Sequence, residues 1–283
     1  MKKDQADKAK KFLDMHHSSK IMVLPNAWDV FSAKIYEHAG FKAIGTTSAG
    51  IAATLGFPDG ERMSLQDNLR VSKRIVENTN LPVSIDAETG YAESAEAIAE
   101  TAQAVIDIGA VGLNIEDGTG NKENPLFDVS VMCERIAAIR DRSLSNDIHL
   151  VINARTDVYL SSRTSPAAKF EETILRAHAY KKAGADCIFA PSMPGVLDEG
   201  LIAQLVKSIH SPVNIISDRN SPSLSSLEEI GVSRVSLGPR PMRACMALLK
   251  TISQEIMQSG TFTSMDDSEI SYSDVNKMFE PEQ

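Results

Sequence analysis

The sequence predicts an α/β protein, a single domain folded as a (β/α)8 barrel of the TIM type. Eight short apolar segments recur along the chain, each nearly continuous in apolarity, as expected for parallel strands buried on both faces. Helical segments lie between them, and eight such units in about 240 residues match this barrel in size and order. An open doubly wound sheet is disfavoured because no G-x-G-x-x-G pattern follows the first strand.

The elements are predicted from local patterns. Runs rich in β-branched residues indicate the strands, apolar residues repeating every three or four positions indicate the helices, and Ala-Gly or Ile-Gly pairs indicate where several helices end. Strands are predicted at residues 21–24, 43–46, 82–85, 111–115, 150–153, 186–189, 212–216 and 234–237. Helices are predicted at residues 28–38, 65–78, 94–108, 130–142, 169–183, 200–208, 224–230, 242–257 and 272–279.

The barrel is predicted to span residues 21–257, with a polar leader at 1–20 and a helical tail at 258–283. The leader lacks the apolar centre of a signal peptide, and we expect His16 and His17 to be exposed within it. No stretch approaches the roughly 20 apolar residues of a membrane span.

The composition is that of an ordinary globular protein, with 42% hydrophobic and 24% charged residues. The net charge of −9, without a run of Lys or Arg, disfavours nucleic acid and anionic membranes as partners. Three cysteines share no metal-ligand spacing, so we expect neither a disulfide framework nor a zinc site. A reducing, cytoplasmic location fits this cysteine usage.

Acidic residues follow two neighbouring predicted strands. Asp86 and Glu88 come directly after the third strand, and Glu116 and Asp117 follow the fourth. Loops after the strands of a barrel meet at one face, so these carboxylates should converge. Hard oxygen ligands select Mg²⁺ or Mn²⁺ over zinc, and Asp86, Glu88 and Glu116 therefore predict such a metal site. The alternative is that these acids cap the following helices.

Other candidates follow other strands at the same face. Arg155 could clamp a substrate carboxylate through two hydrogen bonds, or form a structural salt bridge with one of the acids. Thr47 and Ser48 begin a turn of small residues whose backbone N–H groups could bind an anion.

Two long segments, 49–64 and 118–128, interrupt the regular pattern and are predicted to be lids or binding loops without regular structure. Asp59 in the first is a candidate acid or base, although Pro-Asp-Gly is also an ordinary turn. Lys122 and Asn124 in the second could close over a ligand or be solvated.

Residues 20–250 resemble the isocitrate lyase/phosphoenolpyruvate mutase superfamily. The resemblance rests on motifs that are specific in combination: PNAWD at 25–29, AGF at 39–41, LGFPD at 55–59, DAETGY at 86–91, NIED at 114–117 and NARTD at 153–157. It implies a TIM barrel, Mg²⁺ or Mn²⁺, and a small 2-oxo or 2-hydroxy carboxylate substrate. A C–C or C–P bond of that substrate would be made or broken through a metal-bound enolate.

The resemblance also implies roles for residues already singled out. Asp86, Glu88 and Glu116 would hold the metal, and Arg155 would bind the substrate carboxylate. The backbone of Thr47, Ser48 and Ala49 would donate to substrate oxygens. Asp59 would lie nearest the reacting group. It further implies a homotetramer, a dimer of dimers in which C-terminal helices are exchanged between subunits.

Two departures from the family pattern narrow the function. Many members have Asp where this chain has Glu88, so a water could lie between this carboxylate and the metal. The isocitrate and methylisocitrate lyases carry a Lys-Lys/Arg-Cys-Gly-His motif after the fourth strand, whereas the loop here has no cysteine. Lys122 and Asn124 instead resemble, in placement, the gating-loop Lys and Asn of the phosphonate branch, which makes Lys122 a catalytic candidate and Asn124 a substrate contact.

The sequence therefore favours a Mg²⁺-dependent C–C lyase acting on a small carboxylate such as oxaloacetate or a substituted malate. The first alternative is a C–P enzyme, either a phosphoenolpyruvate mutase or a phosphonopyruvate hydrolase. The second is a non-catalytic barrel that binds a metal and a carboxylate.

Overall fold

The computed structural model describes residues 2–161, 164–191, 196–265 and 270–280. The chain divides into two compact units, Met1–Gly238 and Pro239–Gln283. The first unit contains the whole β-sheet, and the second consists of helices and their connections.

The sheet of the first unit is parallel throughout and closes on itself. Its order is β1-β9-β8-β7-β6-β5-β4-β3-β2, and only Pro25, which has no N–H for a ladder, separates the two end strands. The first barrel position is therefore one strand broken at Pro25, and the predicted (β/α)8 fold is confirmed. The strands are β1 Met22–Leu24, β2 Asn26–Ala27, β3 Ile44–Thr46, β4 Val83–Asp86, β5 Gly112–Glu116, β6 Val151–Arg155, β7 Cys187–Phe189, β8 Val213–Ile216 and β9 Arg234–Ser236.

Several helices of the first unit begin at a side chain that caps them. The hydroxyls of Ser64, Ser94 and Ser165 each accept a hydrogen bond from a backbone N–H in the first turn. In the described residues the helices are α1 Lys2–His16, α2 Val30–His38, α3 Ser48–Leu55, α4 Leu65–Glu77, α5 Ala95–Asp107, α6 Val129–Ser145, α7 Val158–Ser161, α8 Pro166–Ala183, α9 Glu199–Ile209 and α10 Leu224–Ile230.

The predicted leader is a helix rather than a solvated tail. Residues Phe12 and His16 of α1 are buried, which contradicts the expected exposure of His16. The Gln5 Nε2 group donates to the carbonyls of Ile106 (2.8 Å) and Ala110 (2.9 Å), just before β5 begins. α1 therefore lies against the amino-terminal ends of the strands and buries its apolar face there.

Strand register places the candidate residues side by side. Asp86 of β4 pairs with Asn114 of β5, and Glu116 of β5 pairs with Arg155 of β6. Because all strands run in the same direction, their carboxyl ends form a single rim of the barrel, which we call the carboxyl rim.

The two long segments are more ordered than the sequence predicts. α3 occupies the first half of 49–64 and ends at Gly56, which has the left-handed φ of 82°. In 118–128, Gly118 forms an antiparallel bridge with Leu126, and Thr119 N–H donates to the Pro125 carbonyl at 3.0 Å. Local backbone hydrogen bonds therefore replace the structureless loops that were expected.

The second unit contains α11 (Arg240–Ser259), a 3₁₀ turn (Thr263–Met265) and α12 (Tyr272–Phe279). The Glu255 carboxylate accepts hydrogen bonds from Thr261 Oγ1 (2.6 Å), Thr263 N (2.8 Å) and Ser264 N (2.8 Å), which fold the chain back after α11. Across the described residues of both units, no helix combines the length and apolarity needed to cross a bilayer.

Gly90 should be the glycine least tolerant of replacement. It has φ 102°, and a Cβ there would lie 2.3 Å from Ile98 Cδ1, whereas Gly120 has φ 70° with open space around it. We expect Gly120→Ala to cost about 1 kcal/mol from the backbone conformation alone. Gly90→Ala should cost roughly 1–3 kcal/mol more from overpacking. Thermal or urea unfolding of both variants measures the difference, and equal losses would contradict the packing argument.

Candidate active site

Asp86 is the carboxylate most firmly fixed on the carboxyl rim. Its Oδ2 accepts hydrogen bonds from Ser48 N (2.9 Å) and Ser48 Oγ (2.8 Å), while Asn114 Nδ2 lies 3.4 Å from Oδ1. Ser48 is the first residue of α3, where backbone N–H groups have no partner within the helix and favour an anion. The Oδ1 atom, held only by a long contact, is the oxygen best placed to accept another ligand.

The predicted backbone donors lie in this helix start. Thr47 is the N-cap of α3, and its Oγ1 accepts from Gly50 N at 3.4 Å. The Ser48 N–H is already bonded to Asp86. The Thr47 N–H donates to the Ala27 carbonyl at 3.0 Å. Of the three predicted backbone donors, the N–H of Ala49 is therefore the one that the described residues leave for a substrate oxygen.

Glu88 lies close to Asp86, but protein groups occupy both of its oxygens. Tyr91 OH donates to Oε1 at 2.7 Å, and Glu61 N–H donates to Oε2 at 2.5 Å. Burial raises the pKa of Glu88 to about 7. The hydrogen bonds from Tyr91 and Glu61 lower this pKa, whereas the charges of Asp86 and Asp59 raise it further.

Glu116 and Arg155 form an ion pair at the ends of β5 and β6. Arg155 Nη1 lies 2.6 Å from Glu116 Oε2, and its Nε (2.6 Å) and Nη2 (2.9 Å) donate to the two oxygens of Asp157. Burial raises the pKa of Glu116 well above its usual range, opposed by Arg155 and reinforced by Asp157 and Asp86. Arg155 therefore forms the structural salt bridge that the sequence left open as an alternative, and it pairs with two acids.

Asp117 lies behind the rim and supports it. It is fully buried, its Oδ2 accepts from Tyr180 OH (2.6 Å) and Arg176 Nη1 (3.1 Å), and its Oδ1 accepts from Asp157 N (2.8 Å). Because Asp157 in turn holds Arg155, this buried network fixes the direction of the guanidinium.

The remaining predicted residues lie in the two long segments and are exposed. Asp59 reaches solvent, yet the protein atoms around it and the charge of Asp86 raise its pKa. Lys122 and Asn124 are exposed in 118–128, where the Asn124 carbonyl accepts from Thr119 Oγ1. The structure therefore brings Asp59 near the acids and leaves Lys122 and Asn124 on the outer loop.

The fit of these residues to a divalent metal is partial. Among the described residues, no group of three or more His, Cys, Asp or Glu side chains is close enough together to hold an ion. Asp86 offers a weakly held oxygen, whereas Glu88 and one oxygen of Glu116 have protein partners. The donor set therefore offers an ion one oxygen of Asp86 and the second oxygen of Glu116, with Glu88 close enough to interact electrostatically.

A cavity of about 810 Å³ adjoins this cluster and is lined in part by Glu61, Glu88 and Glu116. Arg135 also lines it, 4.2 Å above the Phe127 ring and bonded to the Thr89 carbonyl at 3.1 Å. The volume is in the range of sites for small molecules.

Sequence reasoning missed Glu61 and did not assign roles to Tyr91 or Asp157. Asp157 could have been found, since an acid two residues after a rim arginine can bond its guanidinium. Glu61 carries no such signal, because it follows a Pro-Asp-Gly turn and has no periodic position.

A closed parallel barrel with polar side chains on its carboxyl rim defines the class of TIM-barrel enzymes. Residues 12–257 match the phosphoenolpyruvate phosphomutase family. The chain belongs to this family, and thus to the isocitrate lyase/phosphoenolpyruvate mutase superfamily of lyases and mutases, as the motifs predict.

Three similar proteins frame the comparison. An uncharacterised protein of Mycobacterium tuberculosis is 36% identical over 233 residues, covering 82% of this chain and 83% of that protein. The 2-methylisocitrate lyase of Escherichia coli is 29% identical over 246 residues, covering 83% and 79%. A crystal structure from Burkholderia cenocepacia, of a protein provisionally named a lyase/mutase, has a TM-score of 0.90 at 33% identity, covering 99% of this chain and 98% of that one.

Glu88 should make the metal-free protein less stable as pH rises. Its folded-state pKa is about 7 against an ordinary value of 4.5, so the folded protein keeps a proton that the unfolded chain releases first. That stabilisation is complete below pH 4.5 and is lost as pH rises through 7, by at most about 3 kcal/mol. Thermal unfolding with a chelator at several pH values should show the loss in the wild type but not in Glu88→Gln. The same slope in both proteins would refute the assignment.

Proposed function

We propose that this chain is a Mg²⁺- or Mn²⁺-dependent lyase that cleaves a C–C bond of a small 2-oxo or 2-hydroxy dicarboxylate, such as oxaloacetate or a substituted malate. The observation that carries the proposal is the crowding of Asp86, Glu88 and Glu116 at one rim, where burial, reinforced by the charge of Asp86, raises the pKa of Glu88 and Glu116. A divalent cation at this point would relieve the repulsion.

Asp86 would hold the ion directly, because a helix start fixes its carboxylate while Oδ1 has only the 3.4 Å contact with Asn114. Glu88 and Glu116 would accept hydrogen bonds from the ion's waters, since Mg²⁺ retains several waters when it binds a protein. A bound divalent cation supplies a Lewis acid that polarises the 2-oxo group of the substrate and offsets negative charge as the bond breaks.

Arg155 would bind the substrate carboxylate with the N–H groups that its acids leave over. A guanidinium has five N–H groups. Asp157 accepts from the Nε and Nη2 nitrogens, and Glu116 pairs with Nη1, so three of the five are engaged. One N–H on each terminal nitrogen therefore stays available for a bidentate contact. The Ala49 N–H at the start of α3 would bind a second substrate oxygen.

Asp59 would exchange a proton with the reacting fragment. Neighbouring protein atoms that partly desolvate the carboxylate, and the charge of Asp86, raise its pKa, so it holds a proton more readily than an ordinary aspartate. The cysteine that acts as the acid in isocitrate-type lyases has no counterpart in 118–128. Cleavage of isocitrate or 2-methylisocitrate is therefore disfavoured, despite the similarity to a 2-methylisocitrate lyase.

A C–P enzyme is the second candidate, and Lys122 and Asn124 favour it. They lie on the loop whose first residues, Gly118 and Thr119, line the cavity beside the acids. A lysine there would suit a phosphoryl group, and release of phosphate from phosphonopyruvate would decide for this activity.

Oxaloacetate should be cleaved only with a divalent metal. We expect turnover with Mg²⁺, little turnover after chelation, and a loss of about 100-fold or more in Asp86→Ala, because the direct ligand is removed. Asp128→Ala is the matched control, since this acid is exposed at the start of α6 and its side chain makes no capping bond. Equal rates with Mg²⁺, with chelator and in Asp86→Ala would exclude the proposal for this substrate.

We also propose that the chain forms a homotetramer in which the second unit contacts another copy. Met246, Leu249 and Met257 lie along one stripe of α11 and are 55%, 64% and 84% exposed. A stripe of this size is unusual on a monomer and typical of an interface.

The native mass of the protein should therefore be near four times the chain mass of 30.7 kDa. Leu249→Glu should reduce it, because a charge in an apolar interface is costly. Gln254→Glu, an equal charge change at an exposed polar position of α11, should not. Light scattering coupled to gel filtration measures all three, and a monomeric wild type would overturn the assembly.

A further inference from the structure

Glu61 joins the segment that carries Asp59 to the turn that carries Glu88. Its Oε1 accepts three hydrogen bonds from that turn, from Thr89 N (2.8 Å), Thr89 Oγ1 (2.7 Å) and Tyr91 N (3.0 Å). In the opposite direction, its backbone N–H donates to Glu88 Oε2 at 2.5 Å. We call this reciprocal set of four bonds the Glu61 clasp.

The clasp stabilises an unusual backbone. Glu61, Glu88 and Tyr91 have φ values of 54°, 48° and 57°, in the left-handed region that favours glycine. Non-glycine residues persist there only where surrounding contacts determine the conformation, and such residues cluster at functional sites. The hydrogen bonds of the clasp connect Glu61, Glu88 and Tyr91, and they are contacts that hold these three residues in the left-handed region.

The segment that precedes the clasp lies at the surface of the protein. Phe57, Pro58, Asp59 and Gly60 are all exposed, and the next fully buried side chain is Met63. The Phe57 N–H donates to the Ala52 carbonyl at 2.9 Å, so this bond and the clasp hold the segment at positions two residues before and two residues after Asp59. The Ser48 side chain also interacts with the Asp59 carboxylate.

We propose that Glu61 is a positioning residue that sets the placement of Asp59 over the substrate and the direction of the Glu88 carboxylate. The proposal rests on the proposed function for its catalytic consequence. Its physical basis is that three donors converge on one charged oxygen, and hydrogen bonds to an ionised acceptor are about twice as strong as neutral ones. Loss of that oxygen releases the turn and the segment together.

Three substitutions separate the side chain from the backbone strain. Glu61→Ala removes the acceptor and keeps the strained φ, Glu61→Gly removes both, and Glu61→Gln keeps an acceptor oxygen. Glu171→Ala is the matched control: it removes the same charge from an exposed position of α8, away from the cavity.

With oxaloacetate and Mg²⁺ we expect kcat to fall about 10- to 100-fold in Glu61→Ala and Glu61→Gly, with a smaller change in KM, because the reacting group is misplaced rather than the substrate released. Glu61→Gln should recover most of kcat, and Glu171→Ala should leave kcat unchanged. Recovery in Glu61→Gly would assign the effect to backbone strain and overturn the proposal, as would a loss of kcat matched by a loss of the folded state.

Hydrogen exchange and metal binding test the clasp without turnover. Peptides covering 56–64 and 87–91 should exchange at least several-fold faster in Glu61→Ala than in Glu171→Ala. Calorimetric titration with Mg²⁺ alone should show weaker binding to Glu61→Ala. Unchanged exchange in both peptides would overturn the clasp. If the wild type leaves oxaloacetate intact while these peptides respond as expected, the proposed substrate fails and the positioning role stands.

Discussion

Repulsion among buried carboxylates is the constraint on which the carboxyl rim depends. A closed parallel sheet brings the ends of β4 and β5 together, and register alone places Asp86 beside Asn114 and Glu116 beside Arg155. Burial then raises the pKa of Glu88 and of Glu116, since charged forms lose their hydration. The protein offsets only part of this cost, and the remainder favours a cation.

Each acid is held by a different device, and the difference divides their roles. Asp86 is bound by a helix start, Glu116 by Arg155, and Glu88 by neutral donors from its own turn and from Glu61. Only Asp86 keeps an oxygen with a single long contact. The three acids are therefore not equivalent, because Asp86 and Glu116 each keep an oxygen without a close donor among the described residues and Glu88 does not.

The fold and the rim were predictable because they follow from short-range patterns. Apolar runs and glycine stops located the strands and helices, and barrel topology put Asp86 and Glu116 at one edge. The clasp was not predictable, because nothing in the residue type of Glu61 signals a left-handed φ. His16 was expected in solvent because its burial depends on packing against strand ends, which the local pattern of α1 does not reveal.

The helix α1 has a consequence for how such a barrel can diversify. It covers the amino-terminal ends of the strands through Phe12 and Gln5, far along the barrel axis from the acids. Substitutions in α1 can then change thermal stability while substitutions at the carboxyl rim change the reaction. Residues that set stability and residues that set the reaction lie at opposite ends of the barrel, so selection can change one set while the other is kept.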